Sequence, residues 1–375
     1  WMQKVEQVVF QNWDASLEEA VCCTYCGSAD ISPKSKQPRQ KKFIAADGQM
    51  QSVDVYRYYC HNPRCTKKSF THLPDGLLPY SPYRTQFHLL TLQMYAWGYS
   101  TYRRTGSAMG LCSATAWRWV HAWGHRLLPV AALFGMVRSS GVVGVDEKYV
   151  LVPKNDKPDE GKMRRWMYVY LAVDVWSYDL LHIAIYPHNN HDSALAFLLA
   201  LRSKGYHPTV IITDLRGDYG TAIASVYPQA VHHECIFHAL KNIHKLIKDV
   251  YGPTTHDDHS DALILRSAID FIFDTDDPHA AQLRFDAVCA LRHAFVHRFP
   301  LSADIFDFLE RHWPKLSNSI GHDLIPATNN HTELVIRRFD QHYQNFCGFD
   351  SIESAHTYLG VFEKLYRFTP FSLDA

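Results

Sequence analysis

The 375-residue sequence has no apolar run long enough to cross a bilayer. Its most apolar short segment, residues 127–137, is too short for a membrane span and contains Pro129. The N-terminal residues also lack a basic region followed by an apolar one, which is the pattern of a secretory signal. These absences argue against a membrane protein and predict a soluble protein of the cytoplasm.

Cysteine is scarce, with nine residues in the whole chain. That number is too low for a disulfide scaffold in a protein of this length, and it favours a reducing compartment. Hydrophobic residues make up 47% of the sequence, which is enough for a sizeable core, and the length suggests two or three domains. We therefore expect an ordinary folded protein.

Net charge is absent as well, because 38 Lys and Arg residues balance 38 Asp and Glu residues. The average hides an uneven distribution: residues 1–140 contain 16 basic and 8 acidic residues, which leaves 22 basic and 30 acidic residues for the rest. A basic front part favours contact with DNA or RNA, although a solvated basic face is the simpler explanation.

Four of the nine cysteines form two short pairs in the basic front part. Cys23 and Cys26 enclose two residues, and Cys60 and Cys65 enclose four. Two such turns can offer four thiolates to one zinc ion. The segment between them, which contains Y-R-Y-Y at 56–59, is typical of strands. We predict a zinc ribbon with a structural Zn²⁺ ion.

The second pair is looser than the usual spacing, so Cys22 or His61 could replace one of the ligands. Cysteines that are simply buried, without a metal, are the other alternative. The loop between the two pairs is rich in basic residues, and such a loop can follow DNA phosphates. The candidate phosphate contacts are Lys34, Lys36, Arg39, Lys41 and Lys42.

A Pro-rich hinge at 77–83 precedes a pattern of three helices. The first predicted helix covers 85–97 and is broken by Gly98, the second is capped by Ser100, and the third is capped by Ser113. Two short helices joined by a tight Gly-containing turn match the helix-turn-helix pattern. The third helix would then read DNA. Its candidate contacts are Thr115, Arg118 and His121.

The same helical pattern fits a plain three-helix packing module. In that interpretation Trp117, Trp119 and Trp123 are core residues, and periodicity does not separate the two possibilities. The adjoining ribbon and the positive charge favour the DNA-binding module.

After these helices the pattern changes to strands. Three predicted strands, 142–152, 166–175 and 180–186, are joined by short connections, which favours an antiparallel meander. A helix capped by Asp192 follows, and the apolar run 209–214 is typical of a buried central strand. This order predicts an α/β fold with a mixed sheet, as in ribonuclease-H-like domains.

Two acidic residues stand at points of this sheet where a charge has consequences. Asp146 lies inside the first strand, and Asp214 ends the fourth, where ligands of open α/β sheets collect. These strands are neighbours in the predicted order, so both carboxylates can reach one point, and a divalent cation would relieve their repulsion. Oxygen ligands favour Mg²⁺ or Mn²⁺. A hydrogen-bonded Asp146 and a helix-capping Asp214 are the alternatives.

A third carboxylate is expected on the helix predicted for residues 330–346, where Glu333 lies in the first turn. Two explanations without chemistry compete with this one. Asn330 and Glu333 fit a capping box, and Glu333 can pair with Arg337 one turn later. Glu147, by contrast, should point to the opposite face of its strand and take no part in the site.

Five segments of the sequence carry a resemblance to a known family. They are G-V-D-E at 144–147, I-I-T-D-L-R-G-D-Y-G-T-A-I at 211–223, H-H-E-C-I-F-H-A-L-K-N-I at 232–243, N-N-H-T-E-L-V-I-R-R-F at 329–339, and the tail segment at 347–368. With the zinc ribbon and the helix-turn-helix in front, the chain resembles the DDE transposases of bacterial insertion sequences. It is most similar to the branch related to Mutator-like elements.

The resemblance implies a ribonuclease-H-like core with Asp146, Asp214 and Glu333 as its catalytic triad, holding two Mg²⁺ or Mn²⁺ ions. It places Cys235 and His238 at the positions of the C-x-x-H signature beside the active site. Such an enzyme binds the ends of its insertion sequence and target DNA, and catalyses cleavage and strand transfer by phosphoryl transfer.

The resemblance also implies a domain order. Asp214 and Glu333 are too far apart for a structureless loop, which indicates a helical insertion between them. In relatives a tryptophan of this insertion stacks on a nucleotide, and Trp313 is the candidate here. The predicted domains are a zinc ribbon (1–76), a helix-turn-helix domain (77–138), the first part of the catalytic core (139–250), the helical insertion (251–325) and the C-terminal helices of the core (326–375).

Pairing of two element ends predicts a homodimer or a larger assembly, and a bacterial enzyme of this kind would associate with the nucleoid. Two alternatives use the same fold: a non-catalytic DNA-binding regulator, and a nuclease that resolves DNA junctions. The presence of all three acids favours the transposase.

Some residues keep more than one interpretation. Lys241, Arg337 and Arg338 can hold phosphates or be solvated helix charges. Leu215 and Arg216 depart from the family, in which a small residue or Gly usually follows the second acid. A second zinc site, or else a strand-to-helix junction that faces the core, would explain His232, His233, Cys235, His238 and His244.

Overall fold

The computed structural model divides the chain into two compact units. One unit contains Trp1–Gly135 and Gly360–Ala375, and the other contains Met136–Leu359. Within the described residues, none of the helices is both long and apolar enough to span a membrane. The structure describes residues 21–45, 47–74, 76–99, 101–126, 139–153, 166–252 and 260–368.

The first unit begins with a small antiparallel sheet. Its strands are β1 (Ile31–Pro33), β2 (Arg39–Ile44), β3 (Met50–Cys60) and β4 (Ser69–His72). The long strand β3 pairs with each of the other three, so the residues predicted to be strands lie in the centre of the sheet. Cys60 ends β3 and forms a small buried cluster with Cys23 and Phe70.

Three helices follow in the same unit: α1 (Thr85–Gln93), α2 (Tyr102–Ala108) and α3 (Ser113–Arg126). The predicted break at Gly98 is wrong, because α1 continues into a π-helix over Met94–Tyr99. The predicted cap Ser100 lies outside the described residues. Thr101 caps α2 instead, and its hydroxyl accepts a hydrogen bond from the Arg104 backbone N–H at 3.3 Å.

The turn between α2 and α3 requires two glycines. Gly110 has φ +65°, a left-handed conformation that favours glycine. Gly106 packs against the turn so closely that a Cβ atom there would lie 2.8 Å from the carbonyl oxygen of Leu111. The tight connection agrees with the predicted arrangement of two helices and a short turn.

The tryptophans of α3 have different environments. Trp123 is buried and its indole N–H donates to His88 Nδ1 at 3.1 Å, while Trp119 stacks on the same imidazole at 3.7 Å between ring centroids. Trp117 is exposed. The core interpretation therefore holds for two of the three tryptophans, because the face of α3 that carries Trp117 and Arg118 points to solvent.

The second unit contains a five-stranded mixed sheet. Its strands are β5 (Val142–Leu151), β6 (Trp166–Asp174), β7 (Leu180–Tyr186), β8 (Val210–Thr213) and β9 (Val231–Glu234). The order is β7-β6-β5-β8-β9, with antiparallel pairing of β6 with β5 and β7 and parallel pairing of β8 with β5 and β9. The predicted meander, and the predicted neighbourhood of the first and fourth strands, are confirmed.

Two helices, α4 (His191–Ser203) and α5 (Gly217–Val226), cover one face of this sheet. The predicted cap of α4 is wrong: Asn190 takes that role, and its side-chain oxygen accepts from the Ser193 backbone N–H at 3.1 Å. Asp192 lies in the first turn instead. A longer helix, α6 (Ile236–Tyr251), follows β9 directly.

The segment predicted to be a helical insertion is helical in the described residues. It contains α7 (Ser260–Ile272), α8 (Pro278–Ala290), α9 (Arg292–Arg298) and α10 (Ala303–Leu316). These helices share a buried cluster with the inner side of α6, in which Ile243 and Ile247 meet Phe306 and Leu309. These helices and α6 therefore share one hydrophobic core.

Two helices end the described chain, α11 (Asn330–Phe346) and α12 (Ile352–Phe368). The bounds of α11 equal the predicted ones. The capping box considered as an alternative role for Glu333 is absent, because the N-cap position belongs to Asn329 and its side chain makes no capping hydrogen bond. Beyond Gly360, α12 belongs to the first unit, where Val361 packs beside Trp123.

Candidate active site

The alternation of side chains along β5 sorts the acids of this strand onto two faces. Val143 and Val145 belong to the buried cluster beneath α4 and α5. On the other face, Gly144 lies against the start of α11, and Lys148 pairs with Asp340 of that helix at 3.1 Å. Asp146 stands between these two positions and therefore faces α11.

Asp214 lies beside Asp146 at the edge of the sheet. The parallel register of β5 and β8 pairs Gly144 with Ile212, and both acids follow that pair by two residues. The carboxylates therefore extend from corresponding positions on neighbouring strands, as the sequence predicted. Each is half-buried.

α11 is aligned with β5, and this alignment places the third acid. The Asn329 side-chain amide donates to the carbonyl of Val145 at 3.2 Å, and the Leu151 backbone N–H donates to the hydroxyl of Tyr343 at 2.8 Å. Between these contacts the helix advances about 21 Å and the strand about 20 Å, so the two run in the same direction side by side. Glu333, in the first turn of α11, therefore lies near the level of Asp146.

The surroundings of the two aspartates oppose their ionisation. Burial and the charge of Glu147 raise the pKa of Asp146 to about 8, and Asp214 contributes further. Burial and Glu147 also raise the pKa of Asp214 to about 6. Neither carboxylate forms an ion pair with Lys or Arg in the part of the chain that the structure describes. Burial and acidic neighbours therefore disfavour the charged forms of both carboxylates, and a bound divalent cation would favour them.

Cys235 and His238 lie beside the acids, as predicted for the signature positions. Cys235 is fully buried, and its sulfur accepts a hydrogen bond from the Asn329 backbone N–H at 3.4 Å. His238 Nε2 lies 3.6 Å from Glu333 Oε1. Hydrogen bonding to Cys235 and the charges of Glu333 and Asp146 raise the pKa of His238, although burial opposes this. Glu333 therefore faces His238, and the ion pair with Arg337 that was considered as an alternative does not form.

The alternative of a second zinc site among the histidines is not supported. His232 bonds to the hydroxyl of Thr213 at 2.8 Å, His233 to the carbonyl of Lys315 at 2.9 Å, and His244 to Asp270 at 2.7 Å. Each of these imidazoles has its own partner, so they do not converge on one point.

Glu147 points to the face opposite Asp146, as predicted, but it is bonded to the loop that follows Asp214. Its Oε1 accepts from Arg216 Nη1 at 2.6 Å and from Asn189 Nδ2 at 2.8 Å, and its Oε2 accepts from the Tyr219 hydroxyl at 2.5 Å. The prediction that Glu147 takes no part in the site therefore needs correction. Its charge raises the pKa of both aspartates, and its side chain anchors their loop.

The donor set suits a divalent cation. Asp146, Asp214 and Glu333 offer hard carboxylate oxygens, and their uncompensated charge is the condition that Mg²⁺ or Mn²⁺ relieves. The three groups are not a preformed closed cage. Among the described residues, the four cysteines of the ribbon are the one group of three or more ligand atoms that lie within 4.8 Å of one another.

Those four cysteines have the geometry of a zinc site. The sulfurs of Cys23 and Cys65 are 3.8 Å apart, and those of Cys26 and Cys60 are 3.6 Å apart. Four sulfurs at about 2.3 Å from a tetrahedral zinc ion are separated by about 3.8 Å. Of the alternative ligands, His61 bonds to the hydroxyl of Ser32 at 2.8 Å, and Cys22 is exposed.

The predicted DNA contacts occupy several environments. Lys42 and Arg118 are exposed, Thr115 and His121 are half-buried, and the Lys41 ammonium donates to the carbonyl of Ser81 at 3.0 Å. The Thr115 hydroxyl accepts from Arg118 at 3.2 Å, and His121 Nε2 lies 3.2 Å from the Tyr102 hydroxyl.

Trp313 is a correction to the predicted site. Its side chain is only 7% exposed, its ring stacks on Phe285 at 4.4 Å, and its indole N–H donates to Gln282 at 2.9 Å. The indole is not open to a nucleotide, because its ring packs in the hydrophobic core of helices α6 to α10 and its N–H is hydrogen-bonded there. Trp313 is therefore a core residue.

Sequence reasoning missed two parts of the site. The first is the group formed by Arg216 and Asn189 around Glu147, whose one signal was the departure from the family pattern after Asp214. The second is the contact of Asn329 and Thr332 with Gly144, which had no visible signal because a small residue in a strand has many explanations.

Two solved structures show a distant likeness to this chain. A chain of the Drosophila P element transposase strand transfer complex aligns with 10% identity over 76% of this chain and 92% of that chain, with a TM-score of 0.44. A chain of the simian T-cell lymphotropic virus intasome in complex with PP2A regulatory subunit B56 gamma aligns with 12% identity over 47% of this chain and 66% of that chain, with a TM-score of 0.20. A search of curated proteins finds no match.

Comparison with protein families gives a firmer result. Residues 93–357 match the model of the transposase IS66 family, which consists of DDE-type transposases. The relation to the Mutator-like branch is not confirmed, because IS66 is a different family, whereas the broader prediction of a DDE-type transposase is confirmed. The match covers well over half of the sequence, and the protein therefore belongs to the IS66 transposase family.

Proposed function

We propose that this transposase binds the ends of its insertion sequence and catalyses cleavage and strand transfer with Asp146, Asp214 and Glu333 as catalytic residues. The observation that carries the proposal is the placement of these acids around one part of the sheet. Two half-buried aspartates extend from neighbouring strands, and no Lys or Arg of the described chain pairs with either of them. Glu333 lies in the first turn of the adjacent helix α11, beside His238. The mixed sheet with its antiparallel meander supports a ribonuclease-H-like core.

The structural elements that carry the three acids hold them in fixed positions. Asp146 and Asp214 lie on the sheet, so their separation is set by strand pairing, and Glu333 is held by the alignment of α11 with β5. Two Mg²⁺ or Mn²⁺ ions held by these carboxylates would activate the attacking water or 3′-hydroxyl and stabilise the leaving oxygen. His238 beside Glu333 restricts the orientation of that carboxylate. Cys235 ties α6 to the start of α11 through the Asn329 backbone.

The front part supplies the proposed recognition of DNA. The exposed positions Lys42 and Arg118 on the ribbon and on α3 support contact with the element ends, together with Lys41, Thr115 and His121. A structural zinc ion would stabilise the ribbon through its four cysteines. The proposal includes a homodimer or larger assembly that brings two ends together, and association with the bacterial nucleoid.

The proposal is tested by cleavage and joining of element-end DNA in Mg²⁺. We expect Asp146→Ala, Asp214→Ala and Glu333→Ala to lower the rate at least about a thousandfold while DNA binding persists. Asp192→Ala, which removes an exposed acid from α4, is the matched control and should retain full activity. Equal activity of Asp146→Ala and the parent would contradict the assignment of Asp146 as a catalytic residue. A parent protein that binds these ends without cutting them would indicate the non-catalytic regulator.

A further inference from the structure

One exposed line of side chains on α6 starts at the candidate active site. Phe237, Lys241, Lys245 and Lys248 are all exposed, and they follow one another at intervals of four, four and three residues. Residues with this spacing share one side of a helix. Phe237 belongs to the first turn of α6, where its ring lies 5.7 Å from the His238 ring. The line therefore leads from the acids outward along the helix.

The buried side of α6 determines which of its residues face solvent. The opposite side of the helix is buried against the strand-to-helix junction and the helical insertion. The buried residues are Ile236, Ala239, Ile243, Ile247 and Tyr251. Because these side chains anchor the helix, the lysine line faces solvent along its whole length.

The charge of this line contrasts with its surroundings. Residues 141–375 contain more acidic than basic residues, and several of their basic side chains are paired with acids. Within the described chain, Lys241, Lys245 and Lys248 form no ion pair. Asp249 is the one acidic residue in the sequence of α6. Three uncompensated cations in a row therefore create a local positive strip.

The dimensions of the strip match a DNA backbone. Successive lysines are separated by about 6 Å and 4.5 Å along the helix axis, whereas each DNA strand carries one phosphate per about 3.4 Å of duplex axis. Three lysines therefore reach phosphates over about three base pairs. The exposed ring of Phe237 adds a surface on which an unpaired base can stack.

We propose that this line of α6 is the track along which one DNA strand enters the active site. Lys241, Lys245 and Lys248 contact its phosphates, and Phe237 stacks on the unpaired base next to the cleaved phosphate. The proposal rests on the proposed function, since it concerns DNA at the same site. Phe237 would then supply the stacking that the buried Trp313 does not offer.

The test measures binding of a duplex of arbitrary sequence at a series of salt concentrations. All variants carry Asp146→Ala, so that cleavage does not interfere. Removal of one phosphate-binding lysine should lower the slope of log K against log salt by about one. We therefore expect the variant Lys241→Ala, Lys245→Ala, Lys248→Ala to reduce the slope by about three, and the matched triple Arg variant to keep it. A reduction of two or more supports the proposal, and a smaller reduction overturns it.

Phe237 is tested separately with a duplex that ends in a single-stranded 3′ overhang. Stacking of one base predicts about tenfold weaker binding by Phe237→Ala and by Phe237→Leu, which removes only the aromatic character. Binding of the blunt duplex should not change. Equal binding of the overhang by Phe237→Leu and the parent would overturn the stacking role. If the protein with Asp146 intact cleaves element ends, but the triple alanine variant keeps the salt slope, the role of the lysines is refuted and the proposed catalysis stands.

Discussion

Arg216 donates a hydrogen bond to Glu147 at 2.6 Å, and this ion pair ties the strand of Asp146 to the loop of Asp214. Each partner is adjacent, or nearly so, to one of the two aspartates. The Glu147 side chain is only 9% exposed and also accepts hydrogen bonds from Asn189 and Tyr219. The ion pair is therefore largely shielded from screening by solvent. The relative position of the two aspartates therefore depends on a contact on the far side of the strand.

We predict that Arg216→Ala lowers the rate of DNA cleavage about a hundredfold, because a displacement of about 1 Å in a reacting site has that effect. Single-turnover cleavage with saturating Mg²⁺ measures this. Asp218→Asn is the matched control: it removes the charge of the second acidic partner of Arg216, which lies at 2.9 Å and is more exposed than Glu147. This variant should change the rate by less than about threefold. Equal losses in the two variants would contradict the prediction.

Gly144 is predicted to be indispensable for the position of Glu333. A Cβ atom at residue 144 would overlap the side-chain oxygens of Thr332 and Asn329 at the start of α11. We expect Gly144→Ala to reduce the free energy of unfolding by about 2 kcal/mol and to lower activity by a larger factor than stability alone explains. Gly217→Ala is the control, since a Cβ atom there meets nothing within 4 Å. Normal activity of Gly144→Ala would show that α11 tolerates displacement.

The ribbon should bind one zinc ion per chain, measured by metal analysis of the purified protein. Cys60→Ser is expected to lose the ion and to unfold the ribbon, because small zinc modules lack a core that is stable alone. Cys22→Ser should keep full zinc content, since exposed Cys22 lies outside the group of four sulfurs. Retention of the fold after complete chelation would contradict a structural role for zinc.

Asp174 predicts an acid-dependent contribution to stability. This fully buried carboxylate accepts six hydrogen bonds from Ser139, Ser140, Trp176 and Ser177. Burial opposes its ionisation, but these bonds hold its pKa below the ordinary value. Its contribution is therefore fully present above about pH 4, the range of an unfolded Asp, and is lost as the pH falls through the lower folded pKa.

We expect Asp174→Asn to reduce the free energy of unfolding by about 3 kcal/mol at pH 7. The difference from the parent should shrink below about pH 4. Urea unfolding at several pH values measures both effects, and Asp323→Asn, at an exposed loop position, is the control. A difference that stays constant down to about pH 2, below the range in which an unfolded Asp titrates, would show that the charge of Asp174 is not the cause.

The sheet of the second unit could be predicted from sequence because its strands consist mostly of apolar residues that the fold buries. The apolar run at 209–214 indicated the buried strand, and the short connections indicated the antiparallel order of β5, β6 and β7. Asp146 could be placed because it interrupts an apolar strand, and Asp214 because it ends one, whereas Cys235 and His238 were placed by the family resemblance.

Other features depend on contacts between residues far apart in the chain. Glu147 and Arg216 are 69 residues apart in sequence, and no local pattern announces their pairing. The helix caps at Asn190 and Thr101 lie one or two residues from the predicted caps. Capping propensities of single residues do not resolve a shift of this size. Trp313 shows the opposite case, in which a family role was overruled by local packing.

The side-by-side course of α11 and β5 separates the geometry of the active site from the size of the segment inserted before it. Glu333 takes its position from Val145 and Leu151, which precede the insertion in the chain, through Asn329 and Tyr343, which follow it. The helices between Asp214 and Glu333 are held separately, because His312 and Lys315 of α10 bond to the buried Glu234 at the end of β9. A change in the length or packing of α7 to α9 would therefore leave Glu333 in place.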